Sequence, residues 1–409
     1  MRGLDIAVAG CGPAGLAAGL LLARGGHRVT LYERFDASQP VGSGLMLQPT
    51  GLAVLDRLGL AEEIAGLGAP VTRLLGRAVP SGAVVLDVRY DWLKVPSACG
   101  IAVHRAALFE TLYQAVVRDG IVIETGRRVT GSDLEAGGRR LVFADGSRSP
   151  CHDLLVDALG SCSPLAREAG RALTFGALWA TLKWPEEGFA GDRLEQRYRH
   201  ASTMAGVLPI GRRPGVPHRL AAFFWSLRAD RLEAWRAGGL ELWKAEVRTL
   251  WPQTAPLLDQ IVDPAQLTFA HYSHRTLRRP AEEALIHIGD AWHSTSPQLG
   301  QGANMALLDA WALARGLEGA GDLASALAGA AAMRRFHVRL YQSLSCLFTP
   351  AYQSDSRLLP FIRDRIVPPF GKLWPATRIQ AAMVTGTFGG GLKPLGLKPW
   401  VPSSPRAGA

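Results

Sequence analysis

Apolar runs and helical stretches alternate at the start of the chain. Residues 4–9 form a short run that is apolar apart from Asp5, which is typical of a buried parallel strand. The Ala/Leu-rich residues 16–24 predict a helix that ends at Gly25-Gly26, and residues 27–32 predict a second strand. Strand, helix and strand fit within the ~30 residues of a βαβ unit, so the pattern predicts a parallel sheet.

The middle of the chain has a different pattern, with short β-type runs that predict an antiparallel sheet. These runs are residues 178–182, 196–198, 204–210 and 220–227. Residues 230–250 predict a helix, and residues 71–99, which contain Val84-Val85-Leu86, are expected to add edge strands. Beyond Ala320 the chain is predicted to be helical to about Phe348, and after that it is interrupted by proline and glycine.

The composition is that of a globular protein. The chain has 409 residues, of which 48% are hydrophobic, and about 150 residues per domain gives two or three domains. Neither a disulfide framework nor a zinc finger is supported, because no C-x-x-C pair occurs among Cys11, Cys99, Cys151, Cys162 and Cys346. We therefore expect a cytoplasmic protein, and we expect no membrane span, because ~20 uninterrupted apolar residues occur nowhere.

The segment Gly10-Cys11-Gly12-Pro13-Ala14-Gly15 is a G-x-G-x-x-G motif between the first strand and the first helix. Gly10 permits the tight turn, Gly12 lets a pyrophosphate approach the backbone, and Gly15 lets the helix pack closely on the strand. The helix N-terminus attracts phosphate. Glu33 follows the second strand, where it can accept hydrogen bonds from a ribose, so the motif predicts dinucleotide binding by NAD or FAD. Glycines are common, and the motif alone also fits a plain turn.

A second motif follows the predicted strand 285–288. It consists of Gly289-Asp290-Ala291-Trp292-His293 and the segment Ser296-Pro297-Gln298-Leu299-Gly300-Gln301-Gly302-Ala303-Asn304, which opens a helix running to about Leu317. This segment resembles the second fingerprint of the p-hydroxybenzoate hydroxylase family, the group A flavoprotein monooxygenases. The resemblance covers residues 1 to about 320, and it extends to Val41-Gly42-Ser43-Gly44-Leu45-Met46-Leu47-Gln48-Pro49.

The resemblance implies FAD as the cofactor and assigns residues to it. Asp290 would bind the ribityl chain, Pro297 would lie beside the reactive edge of the flavin, and Arg105 would contact the ribityl and phosphate region. Asp290 could instead cap a structural helix, and Arg105 could be a surface residue at a helix start. The complete predicted cofactor contacts are Gly10, Gly12, Pro13, Ala14, Gly15, Glu33, Arg34, Gly44, Arg105, Val129, Asp290, Gly300, Gln301, Gly302, Ala303 and Asn304.

One segment departs from the family pattern. The family has a G-A-D-G-x-x-S-x-x-R type segment whose Asp serves both FAD and the nicotinamide cofactor, whereas this chain has Leu159 at the Asp position. Arg167 is displaced by one residue, and Asp157, two residues before Leu159, is expected to lie about 6–7 Å away along the strand. The departure concerns NAD(P)H use more than FAD binding.

The resemblance implies an α/β fold: a Rossmann-type FAD-binding domain with an interleaved antiparallel-sheet substrate domain and a C-terminal helical segment. We place the FAD-binding domain at residues 1–70, 100–170 and 276–318, the substrate domain at 71–99 and 171–275, and the C-terminal segment and basic tail at 319–409. No metal site is expected, because the H-x-x-H pair of His271 and His274 has no third ligand in suitable spacing.

The implied activity is an NAD(P)H- and O₂-dependent monooxygenase that acts on an aromatic, conjugated or polyketide-like small molecule through a flavin C4a-hydroperoxide. The catalytic candidates are Pro297, His271 and His274, and Tyr198 and His200 are further candidates for a general base. The alternatives are a flavin-dependent dehydrogenase or reductase of the same fold, or a flavoprotein in which FAD is structural. A halogenase is disfavoured because the W-x-W-x-I-P signature is absent.

The formal net charge is +10, and all but six of the 45 positive residues are arginines. They are mostly scattered and lack the basic helix or aromatic pattern of a nucleic-acid site. Residues 360–409 are the exception, with seven basic residues and one acid, Asp364. Two interpretations are open for this tail: weak contact with an anionic membrane surface, or packing of Phe370 and Trp374 against the FAD-binding domain.

Overall fold

The computed structural model describes residues 1, 3–36, 43–166, 170–371 and 373–402, without the side chains of residues 367 and 370. Arg167, Val41-Gly42 and the Phe370 side chain lie outside this range. The strands are β1 Asp5–Ala9, β2 Arg28–Tyr32, β3 Gly44–Leu47, β4 Ala69–Val71, β5 Arg73–Ala78, β6 Val84–Arg89, β7 Gly100–His104, β8 Val122–Glu124, β9 Val129–Glu135, β10 Gly138–Phe143, β11 Leu154–Asp157, β12 Arg171–Ala172, β13 Phe175–Lys183, β14 Arg193–Arg199, β15 Thr203–Pro209, β16 Leu220–Arg228, β17 Thr268–Ala270, β18 Ser273–His274, β19 Ala281–Glu282 and β20 Leu285–His287.

The helices lie mainly in the N-terminal third and beyond residue 230. They are α1 Pro13–Arg24, α2 Pro49–Arg57, α3 Ala61–Leu67, α4 Arg105–Arg118, α5 Leu232–Gly238, α6 Leu240–Leu250, α7 Ala255–Leu258, α8 Asp290–His293, α9 Gly302–Gly319, α10 Leu323–Tyr352, α11 Leu358–Phe361, α12 Val367–Gly371 and α13 Ala376–Val384. Within the described residues, none of these helices is long and apolar enough to cross a membrane.

A six-stranded sheet organises the first domain, in the order β19-β20-β11-β1-β2-β8. All neighbouring strands are parallel except β19, which pairs antiparallel with β20. The α1 helix packs against α9 and α4 through an apolar core. The carboxyl ends of β1, β2, β11 and β20 share one edge of the sheet, so the segments that follow them meet there. This confirms the predicted Rossmann-type architecture.

The second domain is built on a seven-stranded sheet in the order β17-β13-β16-β15-β14-β5-β6. The four predicted β runs are confirmed as β13 to β16. The expectation of edge strands from residues 71–99 holds for β6, whereas β5 lies inside the sheet because it pairs in parallel with β14. The single helix predicted over residues 230–250 is wrong: Gly239, at φ +81°, separates α5 from α6.

The C-terminal segment packs back on the first domain. The α10 helix lies along α9, and Trp400 is only 7% exposed in the core that also contains Leu392 and Leu395. The Trp400 N–H donates to the Pro49 carbonyl at 3.0 Å. Trp374 behaves differently and is 77% exposed, so the interpretation in which Trp374 packs on the FAD-binding domain is wrong.

Candidate functional site

The glycine-rich turn between β1 and α1 has the geometry of a phosphate cradle. Gly10 has φ +102°, and a Cβ there would lie 2.7 Å from the Ala158 carbonyl oxygen; a Cβ on Gly15 would overlap the Gly10 carbonyl. Gly12 differs, because a Cβ there would meet nothing within 4 Å. The α1 helix begins at Pro13 and Ala14, and Gly12 provides no side-chain cap. The turn therefore presents an uncapped helix start beside open space.

Glu33, which follows β2, stabilises this turn through hydrogen bonds. Its Oε2 accepts a hydrogen bond from the Cys11 N–H at 3.0 Å, and its Oε1 accepts from the N–H groups of Arg34 and Phe35. Each carboxylate oxygen can accept more than one hydrogen bond. Glu33 therefore retains acceptor capacity for a ribose hydroxyl, while the exposed Arg34 guanidinium lies over the Phe35 ring.

Asp290 lies close to both helix starts, since a Cβ on the preceding Gly289 would be 3.4 Å from Ala14 of α1 and 3.1 Å from Ala306 of α9. Asp290 is exposed to solvent, and desolvation by the surrounding protein raises the pKa of its carboxyl. The positive charge of Arg105 opposes the rise in pKa at both Asp290 and Tyr272. Burial dominates at Tyr272 and raises its pKa to about 12. Arg105 begins α4 and Asp290 begins α8.

Asn304 holds the start of α9 to residues 46–48, at the end of β3. The fully buried Asn304 amide accepts from the Gln48 N–H at 2.7 Å and donates to the Met46 and Gly300 carbonyls, both at 3.1 Å. Gly300 is left-handed, at φ +62°, and no side chain caps the helix that begins with Gly302 and Ala303. The Asp290 carboxylate lies alongside, since a Cβ on Gly302 would be 4.0 Å from its Oδ1.

Gln301 connects this helix start to the C-terminal segment. Its Nε2 donates to the Val384 carbonyl, and its buried Oε1 has no hydrogen-bond partner among the described residues. Gln298 Nε2 is a second buried polar atom without a partner there. Buried unpaired polar atoms are costly, which is consistent with a ligand that binds beside them.

A buried ion network supports the loop that carries Asp290. Asp309 Oδ2 accepts from the Gly289 N–H at 2.9 Å and from His293 Nε2 at 2.6 Å, while its Oδ1 accepts from Arg334 Nε at 2.8 Å. Arg334 also donates to His337 Nδ1 at 2.8 Å. Because His337 is buried and lies beside Arg334, its pKa is lowered to about 3, so it is neutral.

The second domain joins the first beside Arg105. His104 Nδ1 accepts from the Ala106 N–H at the start of α4, so Nε2 carries the hydrogen and donates to Thr181 Oγ1 at 3.2 Å. Thr181 in turn bonds Ser43, whose carbonyl accepts the Arg105 N–H. Burial lowers the pKa of His104 to about 4 and keeps it neutral. Gly44 follows in β3, where a Cβ would clash with Ala222 at 2.9 Å.

The structure gives the other predicted site residues different surroundings. Pro297 is exposed at the start of the turn that leads to α9. His271 is exposed and packs edge-on against Phe269, and His274 lies 3.4 Å from Cys346 on α10. Val129 is buried in a cluster with Tyr32 and Phe143. The catalytic roles of His271 and His274 stay predictions.

The two further candidates for a general base, Tyr198 and His200, lie in different environments. Tyr198 is buried, donates to Gln196 Oε1 at 2.8 Å and has a pKa well above its usual value because of burial. His200 is exposed, and its carbonyl accepts from Arg363. Tyr198 is therefore a neutral donor rather than a base at neutral pH.

Asp157 cannot take the place of the missing acid, because its side chain is inaccessible to a ligand. It is fully buried, and it bonds the Leu159 N–H at 3.0 Å, Ser163 Oγ at 2.6 Å and His287 Nδ1 at 2.6 Å. The Leu159 side chain packs against the cluster of Tyr32 and Phe143.

Aromatic residues on the seven-stranded sheet form a wall that faces the first domain. Trp179 and Phe224 pack with centroids 4.7 Å apart, and Trp179 Nε1 donates to the Tyr272 hydroxyl at 2.9 Å. The same apolar cluster includes Met46, Tyr90 and Met204. Sequence reasoning missed Tyr272, although it lies between the two histidines that were singled out.

A cavity of about 740 Å³ lies elsewhere, between the β9–β10 hairpin, residues 278–284 and α10. It is at the amino ends of β11 and β20 and contains none of the predicted site residues. Within the described ranges, no group of three or more His, Cys, Asp or Glu side chains could hold a metal ion.

These residues fit FAD. Two uncapped helix starts, at α1 and α9, face the same sheet edge, and the Gly12 cradle is open. By the motif and the resemblance, Glu33 would contact the ribose, Arg105 the ribityl and phosphate region, and Asp290 the ribityl chain.

Comparisons with known proteins agree with this geometry. Residues 3–336 match a family model described as FAD binding domain. The chain is similar to a 6-methylpretetramide 4-monooxygenase of Streptomyces rimosus, at 30% identity over 93% of this chain and 88% of the relative. It is 28% identical to an FAD-dependent urate hydroxylase of Klebsiella pneumoniae, over 81% and 86% of the two chains. A Klebsiella pneumoniae structure complexed with FAD and uric acid has a TM-score of 0.76 at 21% identity, covering 94% of this chain and 98% of that chain, and so shares the fold.

Proposed function

The chain belongs to the FAD-dependent group A flavoprotein monooxygenases, and on this premise we propose that it inserts one oxygen atom into a small, largely apolar aromatic or polyketide-like substrate. The observation that carries the proposal is that the uncapped starts of α1 and α9 lie at one sheet edge, with Gly289, which precedes Asp290, packed between Ala14 of α1 and Ala306 of α9. The chemistry that FAD supplies when bound is acceptance of hydride from NAD(P)H and activation of O₂.

The protein's own contribution begins with binding. The α1 N-terminus and the Gly12 cradle would hold the pyrophosphate, since helix starts present free N–H groups and a partial positive charge. Arg105, at the start of α4, would add a cation. At the other end, the α9 N-terminus would stabilise negative charge on the flavin ring through backbone N–H groups.

Substrate selection would follow from the wall of the second domain. Trp179 is partly exposed, with the buried Phe224 and Met46 packed in the same cluster, and such an aromatic, apolar wall would favour a flat conjugated molecule and exclude water. Within this setting Tyr272 is a neutral hydrogen-bond donor, because its pKa is raised to about 12 and its oxygen already accepts from Trp179. We assign to Tyr272 the orientation of a polar group on the substrate.

The test is coupled turnover by the FAD-loaded protein. NADH or NADPH oxidation and O₂ uptake would be followed across a panel of phenols, quinolones and polyketide aromatics, with product mass measured. A monooxygenase consumes one O₂ per molecule of product and adds one oxygen atom to it. Reduction of artificial acceptors without substrate oxygenation would instead support the dehydrogenase or reductase alternative.

The Tyr272→Phe variant distinguishes a role of the hydroxyl in orienting the substrate from a role of the ring in packing. Phenylalanine keeps the ring beside Trp179 and removes only the hydroxyl, so the fold should be retained. We expect a larger share of the consumed reductant to yield peroxide in place of product. Tyr113→Phe is the matched control, because it removes a hydroxyl from a tyrosine that stacks on Phe109 within α4, two helical turns beyond Arg105. Equal coupling in both variants and the wild type would remove Tyr272 from the proposal.

A further inference from the structure

The residues that remain unexplained by the flavin site lie in the C-terminal segment. Fifteen large apolar side chains among the described residues are exposed, and six of them lie between positions 358 and 379. They are Leu358, Phe361, Ile366, Leu373, Trp374 and Ile379. With the exposed basic residues Arg357, Arg365 and Arg378 they form a surface that we call the tail surface.

The tail surface lies on a fixed platform. The Arg363 guanidinium is buried between the rings of Tyr198 and Tyr352, 4.9 and 5.2 Å from their centroids, and donates to the Ala351 and His200 carbonyls. Residues 362–366 contact the short helices α11 and α12, and α12 contacts α13. Arg363 therefore anchors the segment to the second domain, while the six large apolar side chains remain exposed.

The exposed charged side chains of the tail surface itself are all basic. Asp364 is the one acid between residues 357 and 379, and its carboxylate accepts from Arg363 Nε at 2.6 Å, so Asp364 is paired with an inward-facing cation. Arg357, Arg365 and Arg378 are exposed around the apolar side chains. Apolar side chains interleaved with arginines, with a tryptophan that is 77% exposed, are the composition of an interfacial membrane contact.

A second copy of the chain fits this surface poorly. A two-fold contact brings the same patch of both subunits together, so the exposed Arg357, Arg365 and Arg378 would meet an equally basic patch. Like charges in such an interface are repulsive, and the chain as a whole carries +10. A bilayer that contains anionic lipid supplies both the negative charge and the apolar depth.

We propose that the tail surface binds anionic phospholipid membranes at their surface, with Trp374 and Phe361 inserted at the headgroup level and the three arginines contacting lipid phosphates. The binding is peripheral and reversible, because the apolar side chains come from short helices rather than from one long amphipathic helix. The proposal does not depend on the flavin chemistry.

The test is flotation of the full-length protein with vesicles of phosphatidylcholine alone and of an equimolar mixture with phosphatidylglycerol. Binding is expected with the anionic vesicles near 0.05 M salt and should weaken toward about 0.5 M, as the Debye length shrinks from about 14 to about 4 Å. No binding at low salt, or equal binding to neutral vesicles, would overturn the proposal.

Variants locate the contact. Trp374→Ala combined with Phe361→Ser should lower the vesicle partition coefficient about tenfold or more, whereas Leu242→Ser, which changes a 70% exposed leucine on α6, should leave it unchanged. Arg365→Glu tests the charge separately and should shift the salt at which binding is lost. All the altered side chains are exposed, and an unchanged thermal unfolding curve verifies the fold.

Two other outcomes would count against lipid as the partner. If Leu242→Ser loses as much binding as the double variant, the contact is not at the tail surface. If sedimentation velocity shows that the double variant converts an oligomer to a monomer while the wild type fails to float, the surface joins copies of this chain.

Discussion

Asn304 Oδ1 accepts a hydrogen bond from the Gln48 N–H at 2.7 Å, and this contact joins two parts of the chain that are 256 residues apart. The Asn304 amide also donates to the carbonyls of Met46 and Gly300. One buried side chain thus holds the start of α9 against the strand that precedes α2. The spacing of backbone groups at the flavin end of the site depends on this side chain.

Asn304→Ala should therefore weaken both the fold and FAD binding. It removes three hydrogen bonds and leaves buried backbone groups unpaired, at a cost of about 2–4 kcal/mol in the free energy of unfolding. Gln114→Ala, which loses only an exposed contact with Glu110, should change it by less than about 0.5 kcal/mol. Denaturant unfolding checks both values, and similar stability of the two variants would contradict the role given to Asn304.

Asp309→Asn should destabilise the protein by about 3–5 kcal/mol, because Arg334 is fully buried and would lose its carboxylate partner. The Gly289 N–H would also lose a charged acceptor, so FAD affinity should fall. Glu318→Gln breaks the half-exposed pair with Arg315 and should cost at most about 1 kcal/mol. An Asp309→Asn variant with wild-type stability would show that the network does not support the Asp290 loop.

The motifs were predictable because their constraints are local. Gly10, Gly15 and the helix that follows them are specified by a turn of six residues, and the second fingerprint is equally contiguous. Tyr272 was not predictable, because its partner Trp179 lies 93 residues away on another strand. The buried position of Trp400 was missed for the same reason, since a tail rich in proline gives no periodic pattern.

The free energy of unfolding should fall as the pH drops from about 6.5 toward 4. His104 and His337 have pKa values lowered to about 4 and about 3 by burial, so each is neutral in the folded state while the unfolded chain takes up a proton near pH 6.5. The unfolded state then binds more protons, and each histidine contributes a slope of up to about 1.4 kcal/mol per pH unit.

His104→Asn isolates one of these contributions. Asparagine can still accept from the Ala106 N–H at the start of α4 but takes up no proton, so the loss of stability between pH 6.5 and 4 should be smaller. His200→Asn, at an exposed position, should leave the slope unchanged. Denaturant unfolding at several pH values distinguishes the two, and equal slopes in both variants would contradict a neutral His104.

Leu159→Asp should change the reduction of the bound flavin by NAD(P)H. The family acid is missing at this position, and Asp157 is fully buried, so we expect slow reduction of the wild type without substrate. The control is Leu159→Ala, which removes packing against Tyr32 and Phe143 without adding charge. Stopped-flow reduction should give a different apparent nicotinamide affinity for Leu159→Asp alone. Identical kinetics in the two variants would mean that Leu159 acts only in packing.

Gly12→Ala tests the assignment of the flavin site most directly. A Cβ at Gly12 meets no protein atom within 4 Å, and its φ of −71° suits alanine, so the apoprotein should unfold at the wild-type temperature. The same methyl group would stand where the pyrophosphate approaches the backbone, so FAD affinity measured by fluorescence titration should fall about tenfold or more. Gly15→Ala should instead disrupt the fold, because its Cβ overlaps the Gly10 carbonyl. A folded Gly12→Ala protein that binds FAD as tightly as the wild type would contradict the account.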